Sequence, residues 1–342
     1  MELGRGVQKL ELLVTAAIYL FVDVTRRHFS RTLALGGGSL PFSTMATDVL
    51  KNLTKSIRLG VIADLHVDLI PDGSARLDSF LGEMAEKEPD ALIQMGDFAF
   101  AKKENQKIAD RFNEAHKTTL HVIGNHDTDG GLAEKQVVEA WGMKAAYYYH
   151  EVGGLHLVVL NANEKGSPKH KGGYPQFIGQ AQVAWLEKTL GKLEGPVVIV
   201  SHQPIAGPYP IDNAGEVQKI LSKHADKIVL AINGHTHIDL LTEIGGISYL
   251  HINSASYHWL GSKYAHESYP PKVHAKHQWL KYTSPYQQAL FTTLTFDPKA
   301  KQIVVEKNET SWVGKSPEEL GLKREPEGCV TPEIRARVIA RK

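Results

Sequence analysis

The chain has 342 residues, 42% of them hydrophobic and 23% charged, with a formal net charge of +1. That is the composition of a soluble globular protein with a sizeable core, and the near-neutral balance argues against a broad basic surface for nucleic acid. The single cysteine, Cys329, excludes an intramolecular disulfide. The unusual figure is 17 histidines, many of which stand directly after apolar runs.

The first fifty residues read apart from the rest. Leu12 to Val22 is apolar but for Thr15, which is well short of the roughly 20 residues of a membrane-spanning helix. Arg26-Arg27 with Phe29 two positions on, the weakly hydrophobic, glycine-rich Leu33 to Phe42 and the small residues Ser43 to Ala46 follow. Together they resemble a twin-arginine export signal, which implies a periplasmic or secreted protein. An N-terminal anchor or a cytoplasmic extension is the alternative. The arginine pair lies far from Met1, and translation from Val24 would bring it to the N-terminus. Residues 1–50 are therefore set aside as export signal or extension, and no transmembrane helix is expected.

From Ser56 the chain alternates between strands and helices. Ile57 to Ala63 reads as a strand ending in Asp64-Leu-His-Val-Asp68. Asp64 and His66 are two apart, so on extended backbone they share a side and can grip one divalent cation; Asp68 has the same phase and is a candidate supporting partner. Leu77, Phe80, Leu81, Met84 and Ala85 have helical spacing, closed by Pro89. Ala91 to Met95 is the next strand, ending in Gly96-Asp97. A helix over Gln106 to Lys117 leads to the apolar run Leu120 to Ile123, which ends in Gly-Asn-His-Asp at 124–127. Asn125 offers a neutral oxygen to a hard metal, and His126 exchanges protons near neutral pH.

A helix over Ala133 to Met143, a hairpin through Gly153-Gly154 and a helix over Gly179 to Leu193 come next. Pro196 to Val200 is wholly apolar, as a strand buried on both faces would be, and ends at His202. A helix at 214–224 precedes Ile228 to Ile232, which ends in Asn-Gly-His-Thr-His, with His235 and His237 two apart. A hairpin around Gly245-Gly246 follows. Residues 257–286 are rich in Trp, Tyr and His without period. They read as an aromatic loop that either leans over the site or packs on the sheet. A closing hairpin over Ala289 to Glu306 and a polar tail at 311–342 complete the chain. Strand–helix alternation of this kind predicts parallel strands with helical crossovers in an α/β domain over 56–310.

Five strand ends thus present Asp64, His66, Asp97, Asn125, His126, His202, His235 and His237. Seven N and O donors with no thiolate are too many for one metal and suit two divalent ions sharing a carboxylate. The series Asp-x-His, Gly-Asp, Gly-Asn-His-Asp, His and Gly-His-x-His resembles the calcineurin-like metallophosphoesterase family, over Asp64 to His237. The resemblance implies a four-layer α-β-β-α sandwich with a dinuclear metal site at the C-terminal ends of the strands. It implies that Asp64, His66 and His237 bind one metal, that Asn125, His202 and His235 bind the other, and that Asp97 bridges them. His126 would contact the phosphate or the leaving group, with Asp127 a candidate to orient it.

In the purple acid phosphatase branch a tyrosine lies three residues after the bridging Asp. Here that residue is Phe100, which has no donor atom, so the pattern looks closer to the bacterial cyclic-nucleotide phosphodiesterase branch. The expected reaction is hydrolysis of a small phosphodiester, such as a cyclic nucleotide, by a hydroxide bridging two ions of Mn, Fe, Zn or Co. A phosphomonoesterase on the same site is the alternative. The rival from another class is a catalytically silent metal-binding or scaffolding protein, against which stands the complete ligand series.

Overall fold

The computed structural model describes residues 49–340, so the twin-arginine stretch lies outside the described residues. In chain order the strands are β1 (Ile57–Ile62), β2 (Ala91–Gln94), β3 (Thr119–His121), β4 (Tyr148–Val152), β5 (Leu155–Leu160), β6 (Val197–Ser201), β7 (Ile228–Asn233), β8 (Leu240–Ile244) and β9 (Ile247–His251). Then come β10 (Tyr257–Trp259), β11 (Thr283–Pro285), β12 (Thr292–Asp297), β13 (Gln302–Val305), β14 (Asn308–Glu309), β15 (Glu333–Ile334) and β16 (Arg337–Ala340). The helices are α1 (Gly73–Lys87), α2 (Gln106–Glu114), α3 (Glu134–Ala140), α4 (Gln180–Lys192), α5 (Ala214–Ser222) and the short α6 (Pro271–Lys276).

Two six-stranded sheets result, in the orders β16-β13-β12-β1-β2-β3 and β4-β5-β6-β7-β9-β8. Strands joined through a helix pair in parallel: β1 with β2 and β2 with β3 in the first sheet, β5 with β6 and β6 with β7 in the second. Strands joined by tight turns pair antiparallel. Two of these hairpins, β4–β5 and β8–β9, turn on Gly-Gly pairs with positive φ at each glycine, the geometry that lets two strands twist without splaying.

Alternation of side chains builds the layers. Val198 and Val200 of β6 face the first sheet, packing with Leu59, Val61, Val122 and Leu294. Val197 and Ile199 face the other way, toward Leu186 of α4 and Val217 of α5. On the far side, Ile62 and Leu92 pack on Leu77 and Phe80 of α1 and Phe112 of α2. Each side chain so buried contributes roughly 1.5–3 kcal/mol over its exposed state. The layers run helix, sheet, sheet, helix. No helix among the described residues is long and apolar enough to cross a membrane.

Two regions differ from their sequence reading. Residues 311–340, the described part of the segment 311–342, are not simply a polar surface tail. β16 extends the first sheet by pairing with β13, and β15 pairs with β14. Leu322, Cys329 and Ile334 are buried. An edge strand buries one face only, so β16 offers Ile339 inward and leaves Val338 exposed, too little apolar signal to stand out in a charged segment. Asp239, buried after the last histidine block, receives both Arg337 guanidinium nitrogens at 2.7 and 2.6 Å. The aromatic stretch 257–286 is a folded unit. Trp259, Tyr269, Val273 and Trp279 pack with Leu69, Ile70, Phe100 and Leu280 in a small core of their own.

Two outcomes follow for stability. Arg337→Ala leaves the Asp239 carboxylate with only Arg335, at 3.3 Å. Urea unfolding should show a loss of about 3 kcal/mol, the low end for breaking a buried pair. His121 on β3 is buried and neutral. Its Nε2–H donates to Asn113 at 2.7 Å and its Nδ1 accepts from Gln94 at 3.0 Å. Burial pushes its pKa down to about 3, so the stability it contributes is whole above pH ~6.5 and is lost as pH falls toward 3. His121→Asn should flatten the fall in unfolding free energy from urea titrations over that window by up to about 1.4 kcal/mol per pH unit. An unchanged slope would show that His121 takes up no proton on unfolding.

Candidate metal centre

Strands β1, β2, β3, β6 and β7 end where the polar blocks begin, and the backbone there is unusual. Asp64, His66, Asp97, His235 and His237 have φ of 52°, 49°, 51°, 65° and 50°. They are five of the eight non-glycine residues with positive φ among the described residues. Left-handed backbone costs roughly 1–3 kcal/mol per residue and persists only where the surroundings impose it. Here the loops impose it on one another. Asp64 N donates to Gly96 O at 3.1 Å, His66 N to Asp97 O at 2.9 Å and Gly234 N to His202 O at 3.1 Å. The Asp64 carboxylate accepts His235 N, with both oxygens at 3.0 Å, and Asp97 Oδ1 accepts His126 N at 2.7 Å. The approach is so close that a Cβ on Gly124 would overlap the backbone nitrogen and carboxylate of Asp97.

The fold brings the block residues into two adjoining groups. Asp64, His66 and His237 form one and Asp97, His202 and His235 the other; within each, one donor atom per residue lies within 4.8 Å of the rest. In the first, His66 Nε2 and His237 Nε2 are 3.2 Å apart, and His237 Nε2 is 3.2 Å from Asp64 Oδ1. In the second, His202 Nε2 is 3.2 Å from Asp97 Oδ2, 3.2 Å from Asn125 Oδ1 and 3.2 Å from His235 Nδ1. Asp97 Oδ2 is also 3.7 Å from His66 Nε2, so this one carboxylate faces both groups. Asp64, Asp97, Asn125 and His202 are buried.

The donor set fits divalent cations. His202 Nδ1–H donates to Met95 O at 2.9 Å and His237 Nδ1–H to Tyr257 O at 2.7 Å. A backbone carbonyl on one ring nitrogen fixes the tautomer and turns the other nitrogen to a ligand. His202 Nε2 then meets acceptor oxygens of Asp97 and Asn125, a convergence that only a proton or a cation relieves. Without a cation it is a proton. Burial favours the neutral imidazole, but the Asp97 carboxylate outweighs it and holds His202 up at about 9. Burial pushes His235 down to about 3 and His66 well below the usual histidine range. Asp97 resists its own burial because His202 and His126 surround it, and it stays well below the carboxylate range. A divalent cation would displace the His202 proton, and binding would release it.

His126 lies beside the two groups, its ring centroid 5.2 Å from that of His66. Its Nδ1 meets Asp129 Oδ2 at 2.7 Å. Asp127 does not reach the imidazole. Its carboxylate accepts Gly124 N at 2.7 Å and Phe98 N at 2.9 Å, splinting the loops that carry Asn125 and Asp97. Burial first and Asp97 second push Asp127 up to about 8. The Asp68 carboxylate bonds to residues outside the candidate ligand set. It accepts Phe100 N at 2.7 Å and Asn105 Nδ2 at 2.8 Å and braces the turn after Asp97. The phase argument failed because the backbone at Asp64 and His66 is left-handed rather than extended.

Three contributors lay outside the sequence reading. Tyr257 stacks on His66 with centroids 4.9 Å apart and supplies the carbonyl for His237; its place at the head of the aromatic segment was its only signal. Asp129 stands three residues after His126, a spacing that a helical turn would have suggested. Tyr174, whose hydroxyl donates to Asp129 at 2.6 Å, carried no signal.

A sequence profile described as calcineurin-like phosphoesterase matches residues 57–239. No curated protein matches the chain significantly. Among solved structures, a dimetal phosphatase from Danio rerio is similar in fold, with a TM-score of 0.55 at 14% identity, over 84% of this chain and 99% of that one. GAP50, described as the anchor in the inner membrane complex of Plasmodium, has a TM-score of 0.52 at 13% identity, over 84% and 90%. The profile runs from β1 to Asp239, just past the last histidine block, and covers more than half of the chain. The chain belongs to the calcineurin-like phosphoesterase family of metal-dependent phosphoester hydrolases.

Proposed function

We propose that the protein hydrolyses a small phosphodiester, of the size of a cyclic nucleotide, at a centre of two divalent cations. The observation that carries this reading is the place of Asp97, 3.2 Å from His202 and 3.7 Å from His66. One carboxylate facing two separate donor groups is what a shared ligand between two metals requires. On this assignment Asp64, His66 and His237 hold one cation, Asn125, His202 and His235 the other, and Asp97 joins them. When bound, such cations activate water near neutral pH and neutralise phosphate oxygens.

The chain's own groups do the rest. The Asp64 and Asp97 carboxylates are paired with imidazoles, and no lysine or arginine among the described residues is seen pairing with either. His126, beside the candidate ligands, adds one positive charge to that of the cations, which supports a singly charged diester. His126, held at about 9 because Asp97 and Asp129 outweigh its burial, carries a proton to give to the departing oxygen. Phe100 packs in the small aromatic core with Leu69 and Trp259, which supports a site without a tyrosinate ligand and a branch apart from the purple acid phosphatases.

The test is turnover of bis-p-nitrophenyl phosphate beside p-nitrophenyl phosphate, after removal of metal and refilling with Mn²⁺. Diester turnover should exceed monoester turnover; the reverse would make the enzyme a phosphomonoesterase, and neither being cleaved would favour a silent scaffold. His126→Ala should keep its metal, measured by mass spectrometry, and lose roughly 10²–10⁴-fold in kcat. Asp97→Asn should lose metal as well as activity. A normal kcat in His126→Ala would refute the role given to that residue.

A further inference from the structure

Tyr209 stands seven residues after His202, in the loop between β6 and α5, and it is 46% exposed. We propose that its ring, set by Arg324, is the seat of a planar heteroaromatic base on the substrate, which makes the diester one of a nucleoside. The assignment rests on the diesterase reading above and gives it a substrate class.

The backbone holds this ring out against its own preference. Tyr209 has a φ of 54°, in the left-handed region that bulky side chains rarely take. Pro208 and Pro210 flank it, and a proline restricts the residue before it. The rest of the loop is tied down. Ile211 N donates to Pro204 O at 3.0 Å, and Gln218 Nε2 donates to Ile205 O at 2.6 Å. His251, at the end of β9, donates from Nε2 to Ala206 O at 3.0 Å. The same imidazole lies so close to Gly207 that a Cβ there would overlap it. Ile205 and Ile211 are buried, so Tyr209 is the large apolar side chain of this loop that is turned out.

Arg324 comes to the ring from the far end of the chain. Its Nη1–H donates to the Tyr209 hydroxyl at 2.8 Å, and its guanidinium carbon lies 5.8 Å from the ring centre. The segment that delivers it is anchored at the site. Leu322 and Cys329 are buried, and Cys329 O accepts Asp239 N at 2.9 Å, two residues past His237. The pair therefore bridges the loop that leaves His202 and the segment that backs the His237 block. His202 and His237 belong to different donor groups, so Tyr209 and Arg324 stand at a margin that both groups share.

A contact that only fastened the C-terminal segment would bury the ring and would need no strained tyrosine. A half-exposed aromatic face beside a guanidinium is instead the pairing that takes a base, which stacks on the ring while the cation adds attraction to its π face. A second phosphate is served less well. Glu325 and Glu327 follow Arg324 and are exposed, and they offset its charge. Stacking tolerates any base, so the seat selects a nucleoside ester over a base-free one rather than one base over another.

The experiment compares two diesters with the same leaving group on the Mn²⁺-loaded enzyme. One is thymidine 5′-(p-nitrophenyl phosphate); the other is its abasic analogue, with a tetrahydrofurfuryl group in place of the nucleoside. Wild type should favour the nucleoside ester in kcat/KM roughly tenfold or more, the usual effect of one stacked base, and chiefly through KM. Tyr209→Ala and Tyr209→Leu should bring that ratio close to one, and Tyr209→Leu, which keeps the bulk, carries the comparison if Tyr209→Ala does not fold. Tyr209→Phe keeps the ring without the hydroxyl and should keep most of the preference; Arg324→Gln should lower it severalfold. A readout free of turnover is calorimetric titration of the Zn²⁺-loaded protein. Thymidine 5′-monophosphate should bind roughly tenfold more tightly than methyl phosphate, and Tyr209→Leu should close that gap. Three results overturn the base seat while the diesterase reading stands: a wild-type ratio near one, a preference that survives in Tyr209→Ala and Tyr209→Leu, or a Tyr209→Phe that falls as far as Tyr209→Leu, as a staple for the C-terminal segment would. Wild type that cleaves neither ester removes the diesterase reading, and the seat goes with it.

Discussion

The site depends on one contact between the two sheets, the Asp97 carboxylate against His202. Asp97 leaves β2 of the first sheet and His202 leaves β6 of the second, and the two are 3.2 Å apart. To reach that place Asp97 takes a left-handed backbone, Gly96 and Gly124 surrender their side chains, and Asp127 is spent on splinting the loops around them. None of these features is stabilising alone. They share a cause: several like groups must be crowded at the seam between two sheets, and the backbone must yield so that donor atoms meet.

Electrostatics at that seam is a competition among buried groups. Burial drives each imidazole toward neutrality and each carboxylate toward protonation. The outcome depends on which groups face each ring. His202, against Asp97, and His126, with Asp97 and Asp129, are held up at about 9, while burial prevails at His66 and His235 and pushes them down. Asp127 is kept out of the contest, because a second charge beside Asp97 is opposed and its hydrogen bonds are to backbone amides. A site so poised is ready to exchange protons for cations.

Much of this was legible in the residue pattern, and the parts that were not have physical reasons. Buried parallel strands such as Val197 to Ser201 are nearly uniform apolar runs, and a polar residue after such a run marks where a ligand site opens. That logic found every block residue now gathered at the seam. It failed where the contact is between residues far apart in sequence with no pattern of their own, as with Tyr174 and Asp129. It failed at β16, whose single buried face leaves too little apolar signal. It failed at Asp68 because alternation along a strand does not carry into left-handed turns.

The order of strands also sets an order in time. The second sheet draws all its strands from Tyr148 to His251, one contiguous stretch. The first sheet joins β1 to β12, with Ile57 opposite Phe296, and ends with Ile303 opposite Ile339. Pairings of such long reach form slowly, because the chain between them must be closed first. During synthesis His202, His235 and His237 can be in place on a finished sheet while Asp64 and Asp97 stand on one that still lacks half its strands. Whatever meets the imidazoles in that interval meets them without the two carboxylates, a donor set that suits Zn, Cu or Ni.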